Sequence, residues 1–209
     1  MAYSKISICN LSLAICGAGA IRDFDEANKR ARMADVFYEP TKDYLLSRID
    51  WSFARKFKKL NLLSLPEDEV PEGQYPYQLP NDCKVPRILT PVGGRTSWEL
   101  LGDILMCDQP SNVALYYTAT GTPVARFTDP FVNVLALGIA VRLAPPISQD
   151  PALVDSLYKQ FLNEQKECWE SDANIGNIYR EFDEDPSNDT FVAPDLAGYL
   201  GNQDVPWNT

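Results

Sequence analysis

Hydrophobic positions near the start of the chain recur with the three- to four-residue spacing of α-helices. The spacing predicts a short helix over residues 4–16, which the glycine-containing turn at residues 17–19 closes. A second apolar stripe extends from residue 23 to residue 49, with basic and acidic side chains on its other face. The first quarter of the chain is therefore predicted to be mainly helical.

Three local signals refine this prediction. Asp23 and Glu26 stand three residues apart, which is the pattern of a capping box and predicts that the second helix begins there. Pro40 lies inside the apolar stripe and should kink the helix or divide it near Glu39. For residues 51–65 the pattern fits a strand or an extended passage as well as it fits further helix.

The middle of the chain has the texture of a β-sheet. Prolines concentrate in residues 66–80 and mark the entry to a different substructure. Between residues 84 and 117, short apolar runs alternate with turn-forming pairs such as Gly102–Asp103. This pattern predicts a small antiparallel meander whose prolines occupy edge positions.

Helical spacing returns after this region. Asp129 followed by Pro130 is a helix-start signal, and Pro145–Pro146 should end that helix. The same start signal recurs at residues 150–151, and a long amphipathic helix follows to about residue 173.

Beyond residue 173 the periodicity vanishes, and an acidic, polar segment carries aromatic residues at intervals. We interpret residues 174–209 as an extended arm that orders on a partner, with these aromatic anchors as candidate partner contacts: Tyr179, Phe182, Phe191, Tyr199 and Trp207. The predicted class is α+β. The predicted parts are a helical domain (1–65 and 124–173), an inserted β domain (66–123) and the arm (174–209).

The composition restricts the chemistry. The chain has no histidine, which excludes Ser-His-Asp and Cys-His catalysis and argues against a typical zinc site. Its five cysteines are scattered and form no CxxC pair, so we interpret them as small buried hydrophobic residues. We expect a non-enzyme with no cofactor and no metal. The sequence has neither a secretory N-terminal pattern nor an apolar run of membrane-spanning length, so we expect no membrane step.

The formal net charge of −10 is distributed unevenly. Residues 164–209 contain eleven acidic and two basic side chains, whereas the preceding chain is close to neutral. This distribution argues against a sequence-reading nucleic-acid binder, which would present a basic face. It suits a surface that meets a basic partner or lets DNA pass without adhesion.

Two acidic clusters keep an alternative open. Residues 67–72 contain Glu67, Asp68, Glu69 and Glu72, and residues 183–185 are all acidic, so paired carboxylates could support a glycosidase-like activity. Both clusters lie where rigid placement is least expected, although catalysis requires it. Residues 183–189 could also bind calcium loosely, but they lack the central Gly and terminal Glu of a calcium loop.

The one basic run comprises Arg55, Lys56, Lys58 and Lys59. One interpretation is a solvated face beside the helices. The other is an electrostatic contact with an acidic protein surface or with a DNA backbone. These four residues join the aromatic residues of the arm as candidate partner contacts.

Several stretches resemble the head-to-tail adaptors of short-tailed bacteriophages called tail tubular protein A. In the first half they are ICNLSL (8–13), AGAI (18–21), RAR (30–32), FYEPTKDYLL (37–46) and WSFARK (51–56). Further along they are YQLPNDC (77–83), LYY (115–117), FTDPF (127–131) and LAPPIS (143–148). They occur in the family's order over residues 6–173, and the segment after residue 173 does not align.

The resemblance implies a four-helix bundle with an inserted β domain. It also implies a ring, usually a dodecamer, between the portal protein and the tail nozzle or tubular protein, through which DNA passes without specific binding. The expected location is the virion neck, after assembly in the host bacterial cytoplasm. The alternatives are a carbohydrate-acting tail component and a free-standing binding module.

Overall fold

Four α-helices bracket six β-strands in the part of the chain that the computed structural model describes, residues 3–66, 69–90, 97–148 and 150–173. The helices are α1 (Lys5–Ile15), α2 (Lys29–Arg48), α3 (Asp129–Ser148) and α4 (Pro151–Ala173). The strands are β1 (Arg55–Lys59), β2 (Tyr75–Gln78), β3 (Cys83–Thr90), β4 (Trp98–Leu101), β5 (Ile104–Cys107) and β6 (Ala114–Ala119). The predicted α+β class is confirmed. Residues 174–209, the predicted arm, lie outside the described residues.

The second helix begins later than the sequence predicts. The side chain of Asn28 accepts a hydrogen bond from the backbone N–H of Ala31 and caps α2, which starts at residue 29. Glu26 does accept the backbone N–H of Asp23, at 3.2 Å, and also that of Arg22, at 2.5 Å. These bonds close a turn before the helix. The start predicted at Asp23 is therefore wrong.

The prolines interrupt the helices less than expected. Helix α2 continues through Pro40 without division, and the hydroxyl of Thr41 donates to the carbonyl of Phe37 at 2.6 Å within the same turn. Helix α3 contains Pro145 and Pro146 in its last turn, so the stop predicted there is wrong by two residues. Each proline lacks the N–H that would donate to the carbonyl four residues earlier, and the helix continues for only two residues beyond the second proline.

Helix α3 lies at the centre of the helical part and contacts α1, α2 and α4. Most of its apolar side chains are fully buried. Beside it, Trp51 is completely buried, donates its indole N–H to the carbonyl of Leu45 at 3.0 Å, and contacts the ring of Phe131 edge-on. The sequence WSF at residues 51–53 thus fixes the chain against α3 before it enters the sheets.

Among the described residues, α3 is the one helix long and apolar enough, by length and composition alone, to cross a membrane. Its mean hydropathy is 1.6, and 56% of the apolar window is buried inside the protein. The core helix of a globular protein has the same properties, and the packing of three other helices against α3 accounts for its apolar character.

The strands form two three-stranded antiparallel sheets, with the orders β1-β6-β3 and β2-β5-β4. The predicted single meander is therefore wrong. Strand β6 pairs with two strands that are distant in sequence. Among the described strands, only β4 and β5 form a tight hairpin, closed at Gly102, whose φ is +61°. Of the two structures predicted for residues 51–65, the strand occurs, as β1. The domain boundary proposed at residue 65 stays a prediction. Strand β1 precedes this boundary and pairs with β6, which follows it.

A second apolar core lies against the two sheets and includes Tyr77, Leu105 and Leu115. The sheets join the helices through Arg87 of β3, whose guanidinium donates to the carbonyls of Leu46, Ser47 and Ile49 at the end of α2. These bonds satisfy carbonyls that a helix end leaves without intrahelical partners.

Candidate partner-binding surface on the edge strand

Strand β1, which carries the basic run, is an edge strand of its sheet. Because side chains alternate along a strand, Arg55, Phe57 and Lys59 project from one side and Lys56 and Lys58 from the other. An edge strand leaves half of its backbone hydrogen-bonding groups without a neighbouring strand. This position makes β1 the strongest candidate for a partner contact in the described part of the chain.

The approach to β1 is fixed by a buried carboxylate. Residues Ser52–Ala54 form one turn of 3-10 helix after the buried Trp51. Asp172, at the end of α4, accepts the backbone N–H of Ser52 at 2.7 Å and its hydroxyl at 2.9 Å. Residue 172 is 5% exposed. The start of the edge strand is therefore held by the last turn of a distant helix.

Two of the four basic side chains already have partners within the chain. Arg55 forms an ion pair with Asp50 at 2.9 Å, and both side chains are largely buried. Lys56 binds Asp82 at 2.6 Å, although half of the lysine side chain stays exposed. The hydroxyl of Tyr117 also donates to Asp82, at 2.9 Å. The hydrogen bonds from Lys56 and then Tyr117 lower the pKa of Asp82.

The other half of the strand faces solvent. Lys58 and Lys59 are exposed and form no ion pair with any residue in the described ranges. Phe57 precedes the two lysines in the strand, is 52% exposed and contacts the ring of Tyr116, with 4.7 Å between the ring centroids. The outer part of β1 thus consists of the exposed Phe57, which contacts the partly buried Tyr116 of β6, and two lysines without ion pairs in the described residues.

A cleft of about 230 Å³ adjoins the strand where the chain passes from the first sheet to the second. Its lining includes Lys58, Asn61, Gln78 and Asp82, so it offers cationic, amide and carboxylate groups together. Gln78 and Tyr116 could not be assigned to this surface from the sequence, because only the pairing of segments distant in the sequence brings them beside the basic run.

The structure brings the four basic candidates together on one strand but turns Arg55 inward, so Arg55 offers a partner the least surface. The aromatic candidates Tyr179, Phe182, Phe191, Tyr199 and Trp207 lie outside the described residues. Their proposed role therefore stays a prediction.

Two further observations concern metal binding and thiol chemistry in the described residues. They contain no group of three or more Cys, Asp or Glu side chains placed to hold a metal ion. Burial raises the pKa of the thiols, to about 12 for Cys9 and to about 11 for Cys83 and Cys168, which disfavours the reactive thiolate.

The carboxylates considered for glycoside cleavage are in part outside the described residues, namely Glu67, Asp68 and residues 183–185. Glu69 and Glu72 are described and both are exposed. Comparison of the sequence with protein-family models and with curated proteins finds no match.

Proposed function

We propose that the chain is a structural adaptor that forms a ring between the portal and the tail nozzle or tubular protein of a short-tailed bacteriophage. The observation that carries the proposal is the order of the elements. Two helices precede a pair of small sheets and two helices follow it, as the resemblance to tail tubular protein A leads one to expect. The packing of α1, α2 and α4 around α3 supports the finer proposal of a four-helix bundle.

In this proposal each part has a separate task. The helices form the wall of the ring, and residues 174–209 form the arm that binds the portal protein through its aromatic anchors. The exposed half of β1 binds a protein neighbour, because it combines apolar surface with unpaired charge. The protein carries no catalytic residue and no cofactor.

Charge supports the passage of DNA through such a ring. The chain carries a net charge of −10, so a ring of many copies is strongly acidic as a whole. Phosphates are repelled by a surface of like charge, which lowers the affinity of the channel wall for DNA. DNA therefore passes during packaging and ejection without sequence-specific binding.

The test is a mixture of the purified chain with the portal protein, viewed by electron microscopy. We expect rings stacked on the portal, with about twelve copies as the resemblance implies, and little association of the chain alone. A full-length variant with Phe191→Ser and Trp207→Ser should lose portal binding and keep its thermal unfolding transition. Portal particles that remain bare after mixing with the wild-type chain would contradict the proposal.

A further inference from the structure

A second edge strand has the opposite charge to β1. Strand β4 lies at the edge of the other sheet, and its residues Glu99, Leu100 and Leu101 are exposed, as is Asp103 in the turn that follows. Trp98 packs against the core of the sheets and anchors the strand. We name Glu99, Leu100, Leu101 and Asp103 the acidic edge.

The acidic edge mirrors the outer half of β1. We name Phe57, Lys58 and Lys59 the basic edge. Leu100 and Leu101 are 41% and 47% exposed, much like Phe57 at 52%. Neither Glu99 nor Asp103 forms an ion pair with any described residue, which is also true of Lys58 and Lys59. Each edge thus offers exposed apolar surface beside two charges of one sign that have no ion-pair partner among the described residues.

The signs of these charges determine which edges can meet. Two basic edges repel each other, as do two acidic edges, and lysine on an edge strand is a known device against self-pairing. A basic edge and an acidic edge attract, and their apolar side chains can be buried together. The contact that charge permits is therefore between unlike edges.

We propose that the basic edge of one copy binds the acidic edge of a second copy. Such a contact uses two different surfaces of the same chain, so a bound pair of copies still presents one free acidic edge and one free basic edge. Head-to-tail contacts of this type close into rings when the rotation between copies allows it. The inference rests on the proposed adaptor function, since it names the contact between neighbouring copies in that ring.

Charge reversal tests the contact. The variant K58E/K59E has two acidic edges and the variant E99K/D103K has two basic edges, so neither assembles alone and each associates at least about tenfold more weakly than wild type. An equimolar mixture of the two variants should assemble again, as alternating copies, and the variant with all four substitutions should assemble by itself. Assembly is measured by sedimentation at high protein concentration and by electron micrographs with portal.

A matched control carries charge reversals elsewhere. Lys166 and Glu170 are exposed on α4, and the variant K166E/E170K should assemble like wild type. All variants should keep the wild-type circular dichroism spectrum. Equal assembly of wild type and both edge variants would overturn the inference, and so would a mixture that fails to assemble.

Cross-linking tests the contact without the portal. A carbodiimide joins ammonium and carboxylate groups that touch, and a mixture of nitrogen-15-labelled and unlabelled chains shows whether a linked pair comes from two copies. We expect links between Lys58 or Lys59 and Glu99 or Asp103 that contain one labelled and one unlabelled peptide. Absence of these mixed links at millimolar chain concentration would overturn the inference.

The outcomes also separate this inference from the adaptor function. Mixed cross-links without rings on the portal would support the contact between copies and contradict the adaptor function. Rings on the portal formed equally by all variants would support the adaptor function and contradict the contact between unlike edges. If the wild type retains duplex DNA and K58E/K59E loses it while assembly is unchanged, the basic edge binds nucleic acid and the inference is wrong.

Discussion

Asp172 accepts two hydrogen bonds from Ser52, one from the backbone N–H at 2.7 Å and one from the hydroxyl at 2.9 Å. The two residues are 120 positions apart in the sequence. Their contact joins the last turn of α4 to the turn that leads into β1. A buried carboxylate that accepts hydrogen bonds is expensive to remove, because its donors then lack partners inside the protein.

Replacement of this carboxylate should destabilise the fold. We expect Asp172→Ala to lower the free energy of unfolding by about 1–3 kcal/mol, since it leaves two donors of Ser52 unsatisfied. Asp172→Asn keeps one acceptor oxygen and should fall between Ala and wild type. Urea denaturation measures the loss. The exposed neighbour Glu170 provides the control, and Glu170→Ala should change stability by less than about 0.5 kcal/mol.

Gly138 of α3 allows α2 and α4 to approach together. A Cβ atom at this position would lie 2.9 Å from a side-chain carbon of Phe161 and 2.9 Å from Cγ2 of Thr41. Alanine adds about 1 kcal/mol of helix propensity, whereas overpacking a core costs about 1–3 kcal/mol. We expect Gly138→Ala to be destabilising on balance, because the hydrogen bond to Phe37 holds the Thr41 side chain in place.

The second-site control removes the crowding methyl group. Thr41→Ser deletes Cγ2 and keeps the hydroxyl. Gly138→Ala should therefore cost less stability in the Thr41→Ser background than in the wild-type background. Thermal unfolding gives the comparison. A higher melting temperature for Gly138→Ala in the wild-type background would contradict the packing argument.

The sequence predicted the elements whose signals are local. The stripe of α4 and the Asp129–Pro130 start of α3 depend on neighbours three or four residues away, and both helices occur where the spacing places them. The pairing of β6 with β1 and β3 depends on residues 24 to 63 positions apart, so no turn signal could reveal it. Asp23 with Glu26 had the correct pattern for a cap but closes a different turn.

The candidate surface was predictable to the same extent. The basic run is visible in the sequence. Its division into a paired half and an exposed half is not, because it depends on the ion pairs of Arg55 with Asp50 and of Lys56 with Asp82, which form in the fold. The contact of Phe57 with Tyr116 follows from the strand register. The acidic edge could not be recognised in the sequence, because only the strand order of the sheet shows that Glu99 lies on an edge strand.

Arg87 should be essential for the junction between the helices and the sheets. Its guanidinium donates to three carbonyls at the end of α2, at 2.8–3.2 Å, and to the hydroxyl of Thr118 at 2.9 Å. We expect Arg87→Met to cost about 2–3 kcal/mol of unfolding free energy. Arg87→Lys should recover only part of this loss, because the three carbonyls accept from one guanidinium nitrogen and Thr118 from another, and a single ammonium group cannot occupy both positions.

A lysine on the same strand supplies the comparison. Lys84 pairs with the half-exposed Asp43 at 3.0 Å, and Lys84→Met should cost less than about 1 kcal/mol. Amide hydrogen exchange in the last turn of α2 should accelerate in the Arg87 variants and not in the Lys84 variant. Equal losses of stability at the two positions would show that Arg87 has no special role in capping α2.

The last prediction concerns acid stability and Asp82. Hydrogen bonding from Lys56, and then from Tyr117, holds the pKa of Asp82 below its ordinary value of 3.8. A carboxyl group whose folded-state pKa is depressed stabilises the fold fully above the unfolded value, and this stabilisation is lost as the pH falls through the folded-state pKa. The stability difference between wild type and Asp82→Asn should therefore be constant above about pH 4 and shrink at lower pH.

Chemical denaturation at a series of pH values measures that difference. Lys56→Met removes the main cause of the shift, so in this background the difference should be smaller at neutral pH and should fade nearer the ordinary pKa of an aspartate. A wild-type to Asp82→Asn difference that stays undiminished at the lowest pH at which the protein is folded, or that grows as the pH falls, would contradict the role of Lys56 and Tyr117, because protonated Asp82 no longer carries the charge they stabilise.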